Sequence, residues 1–229
     1  MILNGLQTAL FPPVCLICGQ AGRTDLDCCA GCEADLPALP ARCARCGLAL
    51  DRDRSLCGRC SMAVPSFHAT WPAFLYQSEI EKLVHRFKFH SDLAAGRLMG
   101  QLLARRVKAM DAPMPDALVP VPLHPRRLLH RGFNQSALLC RDLSRELGGL
   151  PWVNALRRVR DTATQVQLPA DRRAGNVRGA FSLERLPDYV RSVALVDDVM
   201  TTGSTLNECA RTLRASGVER IDVWVVARA

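Results

Sequence analysis

Val193-Ala194-Leu195-Val196-Asp197-Asp198-Val199-Met200-Thr201-Thr202-Gly203-Ser204-Thr205 is the run on which the reading of this chain turns. Residues 192–199 are too apolar for a half-exposed strand, and they deliver two adjacent carboxylates to the strand end. The Thr-Thr-Gly-Ser-Thr stretch then opens a helix that Gly217 stops. Residues 221–228, IDVWVVAR, read as a second buried strand. Strand, helix, strand at this spacing makes a parallel βαβ unit. The fold class is therefore α/β, a mostly parallel sheet with helices on both faces. Ligands of such sheets bind beyond the C-terminal strand ends, where the acids lie.

The same run suggests a chemistry. Gly203 permits close backbone approach to a ligand. Successive N–H groups and a helix N-terminus attract a phosphate dianion. The hydroxyls of Thr201, Thr202, Ser204 and Thr205 add hydrogen bonds. Two acids beside a phosphate cradle repel an anion unless they face hydroxyl groups or Mg²⁺. A sugar phosphate meets both conditions. The plainer alternative is a capped helix whose Ser and Thr serve only as N-caps. The acid pair, the glycine and the apolar strand together weigh against it. A Walker P-loop is excluded, since no Lys follows the glycine.

Working outward, WPAFLY (71–76) reads as a strand, and 79–89 as a helix with Ile80, Leu83, Val84 and Phe87 on one face. A helix is predicted over about 93–110, a short strand over 117–123 and a helix over 135–147, stopped by Gly148-Gly149. The segment 157–178 is polar, carries six arginines and reads as a long exposed loop with some local structure.

The cysteines mark a second module. Nine of the 11 lie between Cys15 and Cys60, which sets a boundary near residue 62 and domains at 10–62 and 63–229. Cys15/Cys18, Cys29/Cys32, Cys43/Cys46 and Cys57/Cys60 form two C-x2-C-x10-C-x2-C halves offset by 28 residues, an internal repeat. Two C-x-x-C turns complete a tetrahedron around Zn²⁺, giving two structural zinc sites. So short a segment has little core, and each metal would supply folding free energy on the order of 10 kcal/mol. Thioredoxin-type chemistry needs one such pair beside a βαβ pattern, not four in tandem. A disulfide framework suits a secreted chain. The completeness of each half favours pairing within a half over a cross-brace. Cys28 adjoins Cys29, and either register stays open. Cys140 and Cys209 fall on apolar helical faces and are expected in the core.

The chain has 229 residues, 48% of them hydrophobic, enough for a real core and against disorder. No apolar run approaches the roughly 18 residues that cross a bilayer. MILNGLQTALFPPVCLICG lacks a basic n-region and an A-x-A-like cleavage site, so a cytoplasmic location is expected. A net charge of +8 and a pI of about 9.1 favour polyanionic partners without choosing among them. Aromatic residues are only 5% and are not interleaved with the arginines, which gives base stacking little support.

VALVDDVMTTGST (193–205) resembles the 5-phosphoribosyl pyrophosphate motif of type I phosphoribosyltransferases. With VPVPLHPRRLLHRGFNQS (119–136), RDTATQVQLPADRRAGNVRGAF (160–181) and the cysteine module, the chain is similar to the ComF family, associated with natural competence and including relatives linked to gluconate utilisation. The resemblance implies that Asp197 and Asp198 bind the ribose hydroxyls, directly or with Mg²⁺, and that Thr201, Thr202, Gly203, Ser204 and Thr205 hold the 5-phosphate. It places Arg126, Arg127 and Arg131 in a loop facing pyrophosphate. It makes 157–178 a flexible loop with Thr164, Gln165, Arg172, Arg173 and Asn176 as contacts. Each arginine alone is equally well read as a solvated charge. The 119–136 segment lacks the Lys-Gly signature of orotate-type transferases, and no hood that would select a base is recognisable. The implied activity is pentosyl transfer to an acceptor the sequence does not name. The alternative is a non-catalytic module handling single-stranded DNA or docking a DNA-uptake helicase.

Overall fold

A computed structural model of the chain describes residues 12–50, 55–161 and 177–229. Two short helices, α1 (Ala30–Ala34) and α2 (Gly58–Met62), belong to the cysteine ribbons. The α/β part runs β1 (Ala69–Leu75), α3 (Ser78–Phe89), α4 (Leu93–Ala109), β2 (Ala117–Pro120), α5 (Pro125–Arg131), α6 (Gln135–Glu146), β3 (Leu156–Arg158), β4 (Phe181–Leu183), β5 (Ser192–Met200), α7 (Ser204–Ala215) and β6 (Arg220–Arg228). The main sheet has the order β1-β6-β5-β2, and every pairing in it is parallel. β3 and β4 form a separate antiparallel pair. The expected α/β class, with a mostly parallel sheet behind a pair of ribbons, is what the chain adopts.

β5 and β6 are central, and their apolar side chains alternate between two cores. Ala194, Val196, Trp224 and Val226 pack under α3, α4 and α6. Val193, Leu195, Val223 and Val225 pack with Leu206, Cys209, Ala210 and Leu213 of α7. On α3 the expected face, Ile80, Leu83, Val84 and Phe87, is buried. Asp92 caps α4 by accepting from the Ala95 N–H at 3.0 Å. Gly96 on α4 lies so close to Phe87 that an added Cβ would sit 2.5 Å from its ring. Cys140 and Cys209 are fully buried, as expected.

The two ribbons meet different cores. Cys15, Leu26, Cys28 and Leu36 join the α3/α4 side, whereas Cys43, Cys46, Cys57, Cys60 and Phe67 join the α7 side. The first ribbon is clamped to α4 by Arg97–Asp27 at 2.5 Å and Arg105–Asp25 at 2.6 Å. The segment between them runs along the outer edge of β1. Leu75 N–H donates to Pro37 O at 3.1 Å, and Arg42 stacks over Trp71 at 5.4 Å. At the opposite edge, Leu118 N–H of β2 donates to Pro151 O at 2.8 Å and Leu118 O accepts from Val153 N–H at 2.9 Å.

Two expectations are corrected. The 119–136 segment is not all loop: residues 125–131 form a helix, because Pro125 starts it, the His124 ring accepts from the Arg126 N–H at 3.4 Å, and Gly132 ends it at φ 79°. The 157–178 segment begins in strand β3, and Arg158 there is buried over the Phe181 ring at 5.5 Å. No helix among the described residues is long and apolar enough to cross a membrane.

Candidate functional site

Asp197 and Asp198 lie close to the end of β5, before Val199 and Met200, and strand alternation makes them inequivalent. Asp198 is buried on the α3 side, where Lys88 Nζ lies 2.8 Å from its Oδ1. Its Oδ1 also accepts from the Val199 N–H at 2.6 Å. Asp197 is half-buried, and its Oδ1 accepts from Ser136 Oγ and from the Asp198 N–H, each at 3.0 Å. Ser136 is placed by the start of α6, where Asn134 Oδ1 accepts from its N–H at 3.0 Å and Asn134 Nδ2 donates to Val121 O at 3.1 Å.

Burial, followed by the neighbouring Asp198 charge, pushes the Asp197 carboxyl up to about 7; Lys88, the Asp198 N–H and the Ser136 hydroxyl oppose this only in part. Burial works against the Lys88 ammonium, but the Asp198 charge outweighs it and holds the lysine protonated above its ordinary range. A carboxylate so short of positive charge, with free oxygen-donor capacity, fits Mg²⁺ or sugar hydroxyls.

The loop that follows closes on itself. Thr202 Oγ1 and Ser204 Oγ lie 2.9 Å apart, and Gly203 at φ 77° is the N-cap of α7, accepting from the Asn207 N–H at 2.8 Å. Gly203 has a reason beyond ligand approach: a Cβ there would sit 2.5 Å from Met200 Cε, on a backbone L residues rarely adopt. Thr201 is exposed, and Thr205 is half-buried on the first turn of α7. A cavity of about 300 Å³ borders the loop at Thr202, Gly203 and Ser204, and its opposite wall includes Arg59, Cys46 and Cys60 of the second ribbon.

The expected pyrophosphate arginines lie on α5 and divide. Arg126 and Arg127 converge with His124 on Asp161, at 3.7, 3.9 and 3.7 Å. Arg131 turns instead to the Phe89 ring, 6.0 Å away. Thr164, Gln165, Arg172, Arg173 and Asn176 lie outside the described residues. Sequence reasoning missed Lys88, Ser136, Asp161 and Arg158. The signal for Lys88 was available: it is a cation set between Phe87 and Phe89, at the edge of a core-facing helix stripe.

Both cysteine quartets assemble. Cys15, Cys18, Cys29 and Cys32 form one group and Cys43, Cys46, Cys57 and Cys60 the other, each with sulfurs within 4.8 Å of one another. Tetrahedral Zn–S bonds of about 2.3 Å put sulfurs about 3.8 Å apart. Cys18 and Cys29 sulfurs lie 3.8 Å apart, and Cys46 and Cys57 sulfurs 3.6 Å. Pairing is within each half, and Cys29 is the ligand. Cys28 turns into the core, where burial pushes its thiol up to about 12. Burial also raises the Cys43 thiol, but the N–H groups of Cys46, Cys57 and Arg45 outweigh it and bring the thiol down to about 6, whereas burial pushes Cys46 and Cys60 up. The sites differ in access. All four sulfur residues of the second are buried, whereas Cys18 of the first is exposed and Cys29 and Cys32 are half-buried.

A parallel α/β domain with an acid pair and a hydroxyl-rich loop at one strand end, stapled to two structural zinc ribbons, defines the class. Residues 6–61 match the family described as a double zinc ribbon domain. The chain is 39% identical over 207 residues to Competence protein F of Haemophilus influenzae, covering 88% of this chain and 90% of that one. It is 37% identical over 221 residues to the DNA utilization protein YhgH of Escherichia coli strain K12, covering 94% and 90%. This chain belongs to the ComF/YhgH family. A weaker likeness is to a solved adenine phosphoribosyltransferase from Leishmania donovani, with 17% identity, 62% of this chain and 55% of that chain covered, and a TM-score of 0.37.

Proposed function

We propose that this chain binds 5-phosphoribosyl pyrophosphate with Mg²⁺ and transfers the phosphoribosyl group to an acceptor, within the handling of DNA. The observation that carries the reading is the end of β5, where a carboxylate pair and a Thr/Gly/Ser loop at a helix N-terminus adjoin. The loop takes the 5-phosphate. Asp197 takes ribose hydroxyls, and Asp198 keeps Lys88 beside the pair. Arg126 and Arg127 stand on α5, the element assigned to pyrophosphate. Mg²⁺, held with the ligand beside Asp197, would neutralise charge on the leaving group. As the C1–O bond breaks, its electron pair leaves with pyrophosphate and the ribosyl carbon becomes cationic, as in glycoside cleavage. Asp197 then faces growing positive charge, an interaction stronger in the transition state than in the ground state. The acceptor's lone pair forms the new bond at C1.

Calorimetry with phosphoribosyl pyrophosphate and Mg²⁺ tests the binding step. Measurable affinity is expected, and a Gly203→Val protein that still folds should bind far more weakly. Equal affinity in the two refutes the site. Pyrophosphate release, screened over nucleobases and amines, then identifies the acceptor.

The names of the relatives and the charge of +8 favour a second reading, a non-catalytic module that handles single-stranded DNA. It calls for DNA binding with a steep salt dependence. It also requires that replacing both Asp197 and Asp198 by Asn leaves that binding intact.

A further inference from the structure

Arg228, at the end of β6, is a buried guanidinium, only 4% exposed. No Asp or Glu side chain among the described residues pairs with it. Its Nε donates to Cys46 O at 2.9 Å, and its Nη1 donates to Met200 O at 3.0 Å and to Ala229 O. The first partner is a ligand of the second metal site. The second is the residue that leads β5 into the phosphate loop. Burying a cation is costly unless negative charge lies close by. Four thiolates around Zn²⁺ carry a net charge of −2, and that charge, next to Cys46, adds to what stabilises this buried guanidinium.

Other contacts converge on the same residue. Met200 Cε fills the space that Gly203 leaves by having no Cβ, and Thr70 Oγ1 lies 3.9 Å from Met200 Sδ. Thr70 and Pro72 in turn pack against Gly47, the knuckle glycine after Cys46. Elsewhere the ribbon and the loop are separated by the cavity of about 300 Å³. Among the described residues their coupling runs through Arg228 and Met200 and, just after the ribbon, through the Ser66 N–H that donates to Asn207 Oδ1 of α7 at 2.7 Å. Among the described residues the first metal site has no such link: its ribbon is anchored to α3 and α4 through Arg86, Arg97 and Arg105.

We infer that the second zinc site, acting through Arg228, holds the phosphate loop in its binding geometry, and that the first zinc site does not. Arg228 is a positioning residue for the 5-phosphate. The two halves of the repeat have diverged in role: the first is a clamp and the second is the rear wall of a ligand site. This rests on the proposal that the loop receives the 5-phosphate of a phosphoribosyl ligand.

The test uses the full, zinc-loaded chain and two probes bound at opposite ends of the site, ribose 5-phosphate and inorganic pyrophosphate. Arg228→Met should weaken ribose 5-phosphate at least tenfold while leaving pyrophosphate within twofold, with both zinc ions retained. Arg228→Lys, which keeps the charge and one carbonyl contact, should recover part of the loss. In the unaltered protein, a chromophoric chelator should take the exposed first zinc with ribose 5-phosphate affinity unchanged, and affinity should fall with the second. A parallel loss of both probes in Arg228→Met overturns the inference, because it marks general unfolding. So does an unchanged ribose 5-phosphate affinity, or a loss that follows the first zinc. If the unaltered protein binds neither probe, the phosphoribosyl reading fails first and takes this inference with it.

Discussion

Asp197→Asn should make the ligand-free protein more stable at pH 8 while abolishing its binding of phosphoribosyl pyrophosphate. The carboxyl is raised from 3.8 to about 7 by burial and by Asp198. A rise of about three units corresponds to ~4 kcal/mol of cost for carrying the charge. About half, ~2 kcal/mol, should be recovered, because the asparagine amide also needs hydrogen bonds there; its oxygen can still accept from Ser136 and Asp198. For a chain of this size that is a rise of roughly 4–8 °C in Tm. The pH dependence carries the diagnosis. Below pH 3.8 the group is protonated in both folded and unfolded chains and costs nothing. Between pH 3.8 and about 7 only the unfolded chain releases the proton, so wild-type stability falls as pH rises, and above 7 the penalty is complete. The wild-type penalty should therefore drop by about 3 kcal/mol between pH 8 and pH 5 while the cost of the asparagine stays constant, so the variant's advantage of ~2 kcal/mol should vanish or slightly reverse at pH 5. Differential scanning calorimetry of both proteins at each pH measures it, and effects common to both, including looser zinc at low pH, cancel. A variant that is less stable at pH 8, or a gap that does not change with pH, would falsify the claim that Asp197 is held charged against its surroundings for a ligand.

Lys88→Met leaves Asp198 buried without its cation and should cost about 3 kcal/mol in urea unfolding; pairing it with Asp198→Asn should cost less than the two single changes summed. Gly96→Ala drives a methyl to within 2.5 Å of Phe87 and should lower stability by about 1–3 kcal/mol in the same assay, with metal content unchanged. Elemental analysis should find two zinc ions per chain, and chelation of both should unfold the ribbons; a metal-free protein with native circular dichroism and an unshifted Tm defeats the ribbon argument.

Much of this was legible from sequence because the signals were redundant. β5, α7 and β6 combine apolar strands with a helix stopped at Gly217, and the cysteine repeat states its own ligand sets. What stayed hidden depended on tertiary position. Choosing Cys29 over Cys28 required knowing which thiol turns into the α3/α4 core. Helix α5 carried Pro125 and Gly132 at its ends, but between them polar residues dominate, so periodicity gave no face to read. Asp197 and Asp198 look identical in a string; only the pleat of β5 and the approach of Lys88 from α3 separate them. Arg228 closes the strand read over 221–228, and nothing in the string says that Cys46 of the second ribbon comes to lie against it.

The path of the ribbon segment along β1 has a bearing on solution behaviour. A four-stranded open sheet presents two rows of unpaired amides, which are templates for pairing with another chain. Residues 151–153 cover one row. Among the described residues, the other is met at Pro37 and Arg42 by a strip of polypeptide whose shape depends on sulfur-bound metal. Stripping that metal would uncover an adhesive flank on a domain still largely folded, so light scattering should rise before helical ellipticity falls, and the zinc would serve colloidal solubility as well as architecture.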